Sequence, residues 1–196
     1  EAVIAVARAC NRNNIPLTLR GAGTGNYGQC VPLNAGVVML MGDLKSVRSF
    51  DAHSGAVTVE SGCLLRDLNS YLIAHNRQLR LLPSTWRSAS VGGFISGGSG
   101  GIGSVRWGFL RDPGHLLALE IVTVDDNPRK LQIEAKDAEA LNHAYGTNGI
   151  ITALTLSTAP LVQWQQVAID GECWSEIVAL LQKITHTATD LFLCSL

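Results

Sequence analysis

Two glycine-rich segments hold most of the chemistry this chain could do. The first is RGAGTGNYGQCVPL, residues 20–33, directly behind the short apolar run PLTL. Glycines 21, 23, 25 and 28 alternate there with small residues. Successive backbone N–H groups in such a turn form a concave nest for an anion, and glycine lets the chain approach a phosphate closely. Thr24 adds a hydroxyl and Asn26 an amide. Gly23–Gly28 spell GxGxxG, and Asp43 lies about where a Rossmann acidic residue would. That motif needs a helix starting inside the glycines. Here QCVPLNAG follows, with Pro32 and Gly36 where helical turns would be. No GK[ST] follows either, so a P-loop is excluded. What remains is a helix-free phosphate nest. A plain tight turn is the alternative, but it needs only one or two glycines. Arg20 has its own alternative role, pinning the loop by pairing with a carboxylate.

The second segment is PSTWRSASVGGFISGGSGGIGSVRWG, residues 83–108. Glycine and serine crowd its middle, as in a flexible linker. Val91, Phe94, Ile95, Ile102 and Trp107 punctuate it, which a solvated linker seldom tolerates. Two such segments some sixty residues apart suggest one extended ligand clamped at two places.

The intervening pattern supplies elements to hold them. Val3, Val6, Ala7 and Cys10 mark a first helix ending near Ala9–Cys10. Residues 16–20 and 37–40 read as strands, and 49–52 with 56–60 as a hairpin around HSG. Leu65, Leu68, Leu72 and Ile73 mark an amphipathic helix ending near Asn76. Residues 116–124 and 131–134 read as strands around the turn DDNP, with Asp137 capping a short helix. Residues 149–157, rich in β-branched side chains, make a further strand. After Val162 the composition changes: strand 162–169, helix 174–185 and strand 191–196 are expected, as the opening of a second domain. No internal repeat is present.

The remaining residues are less pointed. The five cysteines (10, 30, 63, 173 and 194) are widely spaced without CxxC, so buried thiols in a reducing compartment, the cytoplasm, are expected. Histidines 53, 75, 115, 143 and 186 fall at no metal-ligand spacing, and no metal is expected. Trp86 and Trp107 flank the second segment and read as core, with packing near a ligand as the alternative. Arg87, Arg106 and Arg111 read as surface charge, or as a lure for an anionic substrate. The chain has 196 residues, 46% hydrophobic, with net charge −1. A packed core is therefore expected, and nothing favours nucleic acid or an anionic membrane. No apolar run reaches the length of a transmembrane helix. Both ends look cut, so the chain reads as a piece of a longer protein.

Four stretches in order, RGAGTGNYGQ, VTVESGCLLRDLNSYL, ASVGGFISGGSGGIGSVRWG and GTNGIITALTL, resemble the FAD-binding domain of the vanillyl-alcohol oxidase/p-cresol methylhydroxylase (PCMH-type) family. The similarity is nearest to the branch of FAD-linked oxidases containing the glycolate oxidase subunit and D-lactate dehydrogenase. It covers about residues 1–160. The resemblance implies an α+β fold of two α/β subdomains, about 1–47 and 48–160, with FAD between them. Residues 161–196 would begin a substrate or cap domain, and the family's opening strand would lie before Glu1.

The resemblance also implies roles. Arg20, Gly21, Ala22, Gly23, Thr24, Gly25, Asn26 and Gly28 would cradle the FAD pyrophosphate through backbone amides. Pro83, Ser84 and Thr85 would lie against flavin and pyrophosphate, with Val91, Gly92 and Gly93 continuing that wall. Gly97, Gly98, Gly100, Gly101, Ile102, Gly103 and Ser104 would pass close to ribityl, phosphate and ring. Gly149, Ile150 and Ile151 would offer main-chain contacts. Some relatives anchor the flavin through His or Cys. Here Thr24, Gly25 and Asn26 stand in the first loop, and residues 83–104 contain neither His nor Cys, so non-covalent FAD is expected. Ser96 and Trp107-Gly108 depart from the family's usual Asn and Tyr-Gly. The implied function is an FAD-dependent oxidoreductase of a small alcohol, such as the 2-hydroxy acids glycolate or D-lactate, with an unspecified electron acceptor. No catalytic residue is assigned, because substrate-side groups come largely from the cap domain. The alternatives are a flavin oxidase of sugar or amino-alcohol substrates, a non-catalytic nucleotide-binding subunit, or a remnant that binds no flavin.

Overall fold

A computed structural model describes residues 1–98, 100–187 and 190–195. Helix α1 (Ala2–Arg12) is amphipathic and buries Ala7 and Cys10. Strands β1 (Leu17–Arg20) and β2 (Val37–Leu40) pair in parallel, from Leu17 opposite Val37 to Arg20 opposite Leu40. A parallel pair requires a crossover. Here the crossover is the first glycine segment, which forms no helix, as Pro32 and Gly36 dictate.

The second sheet starts with the hairpin β3 (Val47–Phe50) and β4 (Ala56–Glu60). Helix α2 (Leu65–Ile73), strand β5 (Arg77–Leu79), and helices α3 (Val91–Gly97) and α4 (Ser104–Trp107) follow. Then come β6 (Leu116–Val122), β7 (Lys130–Glu134), α5 (Ala135–Ala138), β8 (Ile150–Pro160) and α6 (Trp174–Thr185). The strand order is β3-β4-β8-β6-β7, all antiparallel, and β5 pairs with the far end of β8. The fold class is α+β. Strand β8 is central and buried along most of its length, which explains its run of β-branched and apolar residues.

The main core joins Val57, Val59, Leu119 and Leu154 of the sheet to Leu65, Leu68 and Leu72 of α2 and to Val91, Phe94 and Ile95 of α3. Each such side chain contributes about 1.5–3 kcal/mol by leaving water. A smaller cluster joins Ala7 of α1 and Met39 of β2 to Met41, Val122 and Ile150. Val122 and Ile150 pair across β6 and β8, so the two-stranded sheet is seated on that end of the larger one. On the polar side, Arg48 bonds Glu60 (3.1 Å) and Glu120 (3.0 Å), while Thr152 Oγ1 donates to Glu120 at 2.7 Å. That network spans β3, β4, β8 and β6.

Three local expectations change, and one stretch without an assigned element takes form. Residues 91–97, inside the glycine-rich segment, are helical, because Ser90 caps them and Val91, Phe94 and Ile95 bury one face. Asp137 lies inside α5 and caps nothing: β7 runs directly into the helix, and Glu134 takes the boundary position. Residues 162–169 form no strand, and neither do the described residues 191–195. Among the described residues no strand pairs with them to complete a ladder. The chain instead folds back on the second glycine segment. Trp164 and Phe192 stack at 4.9 Å, Trp164 Nε1 donates to Gln78, and Gly103 N–H donates to the Phe192 carbonyl at 2.7 Å.

Candidate cofactor-binding site

A cleft of about 830 Å³ opens between the two glycine segments. Its first wall is the β1–β2 crossover. At Gly23, φ is +72°, and a Cβ would approach the Arg20 guanidinium to 2.8 Å. Glycine therefore lets Arg20 tuck beneath the loop. The facing wall is α3 and the turn before it. Ser90, only 2% exposed, joins the two. Its Oγ accepts from Gly93 N–H of α3 and from Ala22 N–H of the first segment, both at 3.3 Å. A Cβ at Gly21 would collide with that hydroxyl. The close approach of the two segments thus depends on one glycine and one serine.

The rest of the second segment is clamped by a short bridge. Leu82 and Ile102 exchange backbone hydrogen bonds of 3.0 and 2.8 Å, holding Gly100–Ile102 beside Pro83. Gly101 N–H donates to Ser104 Oγ at 3.0 Å. A third wall comes from the strap between α5 and β8. His143 N–H donates to the Ile95 carbonyl and Tyr145 N–H to the Ser96 carbonyl, both at 3.0 Å. His143 (φ 60°) and Tyr145 (φ 51°) are left-handed, a conformation costing a non-glycine residue about 1 kcal/mol or more. It brings Tyr145 and Gly146 to the cleft.

Of the residues expected at the site, Gly21, Ala22, Gly23, Thr24, Gly25, Asn26, Pro83, Ser84, Thr85, Gly92, Gly93, Gly97, Gly100, Gly101, Ile102 and Ile151 line this cleft together. The others stand behind it. Arg20 packs under Gly23, and Gly28 closes a turn by accepting from Val31 N–H. Val91 is wholly buried in the main core, and Ile150 lies in the smaller cluster. Gly98 ends α3 in left-handed conformation against His143, and Gly103 starts α4 against the Arg80 carbonyl. Ser104 holds Gly101, and Gly149 sits against Ile121.

Residue patterns missed several members of the lining: Ser61, Ser90, Tyr145, Gly146 and Leu193 among them. Ser90 carried a signal, since serine before a short apolar run is a helix-cap pattern. Cys30 also lines the cleft, although it lies outside the positions that matched the family's anchors. Cys63 is buried against α2, and burial pushes its thiol up to about 11, so it stays protonated and inert.

The lining is neutral. Among the described residues that form it, none is Asp, Glu, Lys, Arg or His. An anion entering the cleft would meet only uncharged donors, backbone amides and side chains such as Thr24, Asn26, Ser84 and Thr85. Trp86 and Trp107 are half-buried against the main core and outside the lining. Arg80 (4.7 Å) and Arg106 (5.3 Å) both lie over the Trp107 ring, and Arg87 lies over Trp86. His115, 5% exposed, bonds the Trp107 carbonyl through Nε2 at 2.8 Å. Burial lowers its pKa, which marks a structural histidine. The described residues contain no cluster of His, Cys, Asp or Glu able to hold a metal, and no helix long and apolar enough to cross a membrane.

A protein-family model described as an FAD binding domain matches residues 1–131. The chain belongs to this family of FAD-binding domains, of the PCMH type. D-lactate dehydrogenase of Anaerostipes hadrus is 32% identical over 166 residues, covering 82% of this chain and 34% of that protein. The mitochondrial D-2-hydroxyglutarate dehydrogenase of Danio rerio is 31% identical over 163 residues, covering 80% and 30%. Glycolate oxidase subunit GlcD of Escherichia coli (strain K12) is 26% identical over 166 residues, covering 82% and 33%. The chain thus spans about a third of the length of these relatives. Among solved structures, alkyldihydroxyacetonephosphate synthase superposes with a TM-score of 0.70 at 20% identity, over 83% of this chain and 33% of that one. That likeness concerns the fold.

The cleft fits the cofactor that the family implies. Gly21 stands where a Cβ would fill the approach between walls, the lining's donors are uncharged, and Ser61 contributes a buried hydroxyl without a partner among the described residues.

Proposed function

We propose that this chain is the FAD-binding part of an oxidoreductase that oxidises a small alcohol, with 2-hydroxy acids such as D-lactate or glycolate as the substrate class. The neutral, glycine-lined cleft between the two segments carries this reading. Bound FAD would supply the hydride-accepting chemistry. The backbone amides of Gly21 and Gly23–Asn26 would hold the pyrophosphate, with Thr24 and Asn26 as side-chain donors, while the Ala22 amide stays on Ser90. Pro83–Thr85 and Gly100–Ile102 shape the opposite wall, where small residues admit the flavin end. Residues about 1–47 and 48–160 act as the two subdomains around the cofactor, and 161–196 begin the substrate-side domain. Binding is non-covalent.

The lining holds no Asp, Glu, Lys, Arg or His side chain among the described residues. The group that takes the substrate's hydroxyl proton therefore comes from outside this chain's cleft. The same observation favours a second reading, a subunit that holds FAD without turning substrate over. Anaerobic addition of D-lactate, glycolate and D-2-hydroxyglutarate to the FAD-loaded longer protein separates the two. Bleaching of the visible flavin absorbance is expected with at least one. FAD binding without bleaching by any hydroxy acid supports the subunit reading, and failure to bind FAD ends both.

A further inference from the structure

We propose that the Ser61 hydroxyl is a direct hydrogen-bond partner of FAD, at the seam where the two glycine segments meet. The inference rests on the reading of the cleft as an FAD site. Ser61 follows β4 and is 3% exposed. Its backbone is already committed: N–H donates to the Thr152 carbonyl at 3.0 Å, and the carbonyl accepts from Gly92 N–H at 2.8 Å. Position 92 must be glycine for this, because a Cβ there would come within 2.6 Å of Ser61 Cβ. The hydroxyl has no such partner. Burying a hydroxyl unpaired is unfavourable, and alanine would occupy the same place without that cost.

Location distinguishes this orphan from the others. Among the described residues, Arg8 Nε, Trp107 Nε1 and Asn142 Oδ1 are also buried without a partner. Of these four residues only Ser61 belongs to the cleft lining. It is packed on Gly92. The next residue, Gly93, faces Gly21 across the seam, where a Cβ on Gly21 would lie 3.8 Å from Gly93 Cα. A dinucleotide crossing that seam would bring oxygens to a donor that no described residue satisfies. Ser61 is thus a hydroxyl held for the ligand, destabilising the empty protein and contributing to the loaded one.

The two states respond oppositely to one substitution. The test compares wild type, Ser61→Ala and Ser61→Cys, each as apo-protein, by thermal melting and by equilibrium titration with FAD. For Ser61→Ala, the apo melting temperature is expected to rise by about 2–4 °C. Its FAD dissociation constant is expected to rise about tenfold. Ser61→Cys, with a weaker donor of similar shape, is expected to fall between the two in affinity. FAD affinity unchanged within error in Ser61→Ala overturns the proposal. So does an apo-protein that melts lower than wild type, because the hydroxyl then supports the empty fold. Wild type that fails to bind FAD overturns the reading of the cleft itself. Wild type that binds while Ser61→Ala binds equally well overturns only the role of Ser61.

Discussion

At the scale of single residues, Ser90 and Cys30 offer the sharpest tests. Ser90 caps α3 and also ties Ala22 to it, so one hydroxyl supports both walls. Ser90→Ala is expected to lower stability by about 1 kcal/mol, the usual effect of losing a serine cap. It should weaken FAD as well, since the first segment is no longer tethered. Thermal melting and FAD titration check both effects, and the melting shift is opposite in sign to that expected for Ser61→Ala. Cys30 is the only cysteine among the described lining residues. With non-covalent binding, acid precipitation of the loaded protein leaves flavin in the supernatant, and Cys30→Ser behaves identically. Colour in the wild-type pellet that disappears in Cys30→Ser would identify Cys30 as a covalent anchor.

At the scale of elements, the polar network of the large sheet makes its stability depend on acid. Burial alone would raise the pKa of Glu120, but hydrogen bonds from Thr152 and Arg48 and the charges of Arg48 and Lys130 outweigh it, and the pKa is lowered. Glu60 is likewise lowered: burial opposes, while the Ser46 backbone N–H and Arg48 prevail. A depressed carboxylate contributes stability above its ordinary range, near pH 4.3, and loses it as pH falls through the lower folded value. Glu120→Gln is therefore expected to melt lower than wild type near neutrality, with the gap narrowing below about pH 4. Arg48 is about one-third exposed, so solvent screening limits the neutral-pH effect to about 1 kcal/mol. Comparing the two proteins at each pH cancels the contribution of His115. A gap that stays constant on acidification would remove the network from the pH dependence.

At the scale of the whole molecule, the cleft joins parts of the chain far apart in sequence, from Leu19 to Leu193. A ligand there bridges the small sheet, α3, the strap and the returning tail. FAD is accordingly expected to stabilise the chain as one unit. At a hundredfold excess over the dissociation constant, linkage contributes about 2.7 kcal/mol. For a chain of this size that is roughly a 5–10 °C rise in melting temperature. A melting curve insensitive to FAD would show that the cleft does not hold it.

Local sequence determined what depends on neighbours along the chain. Apolar spacing marked α1 and α2, and a β-branched run marked β8. Pro32 and Gly36 ruled out a helix after the first glycines, and ordered motifs identified the cofactor family. Tertiary structure decided what depends on distant partners. Residues 162–169 and 191–195 have the composition of strands but find no ladder, and so pack as irregular chain around Trp164 and Phe192. Residues 91–97 look like a loop in composition, yet become helical because Ser90 caps them and the sheet buries their apolar face. Val91 and Ile150 have side chains drawn into cores, while Ser61 and Tyr145 reach the cleft from outside the two glycine segments, and Cys30 reaches it from the end of the first. Side-chain type and spacing specify which chemistry is affordable, but only packing specifies which atoms share one cavity.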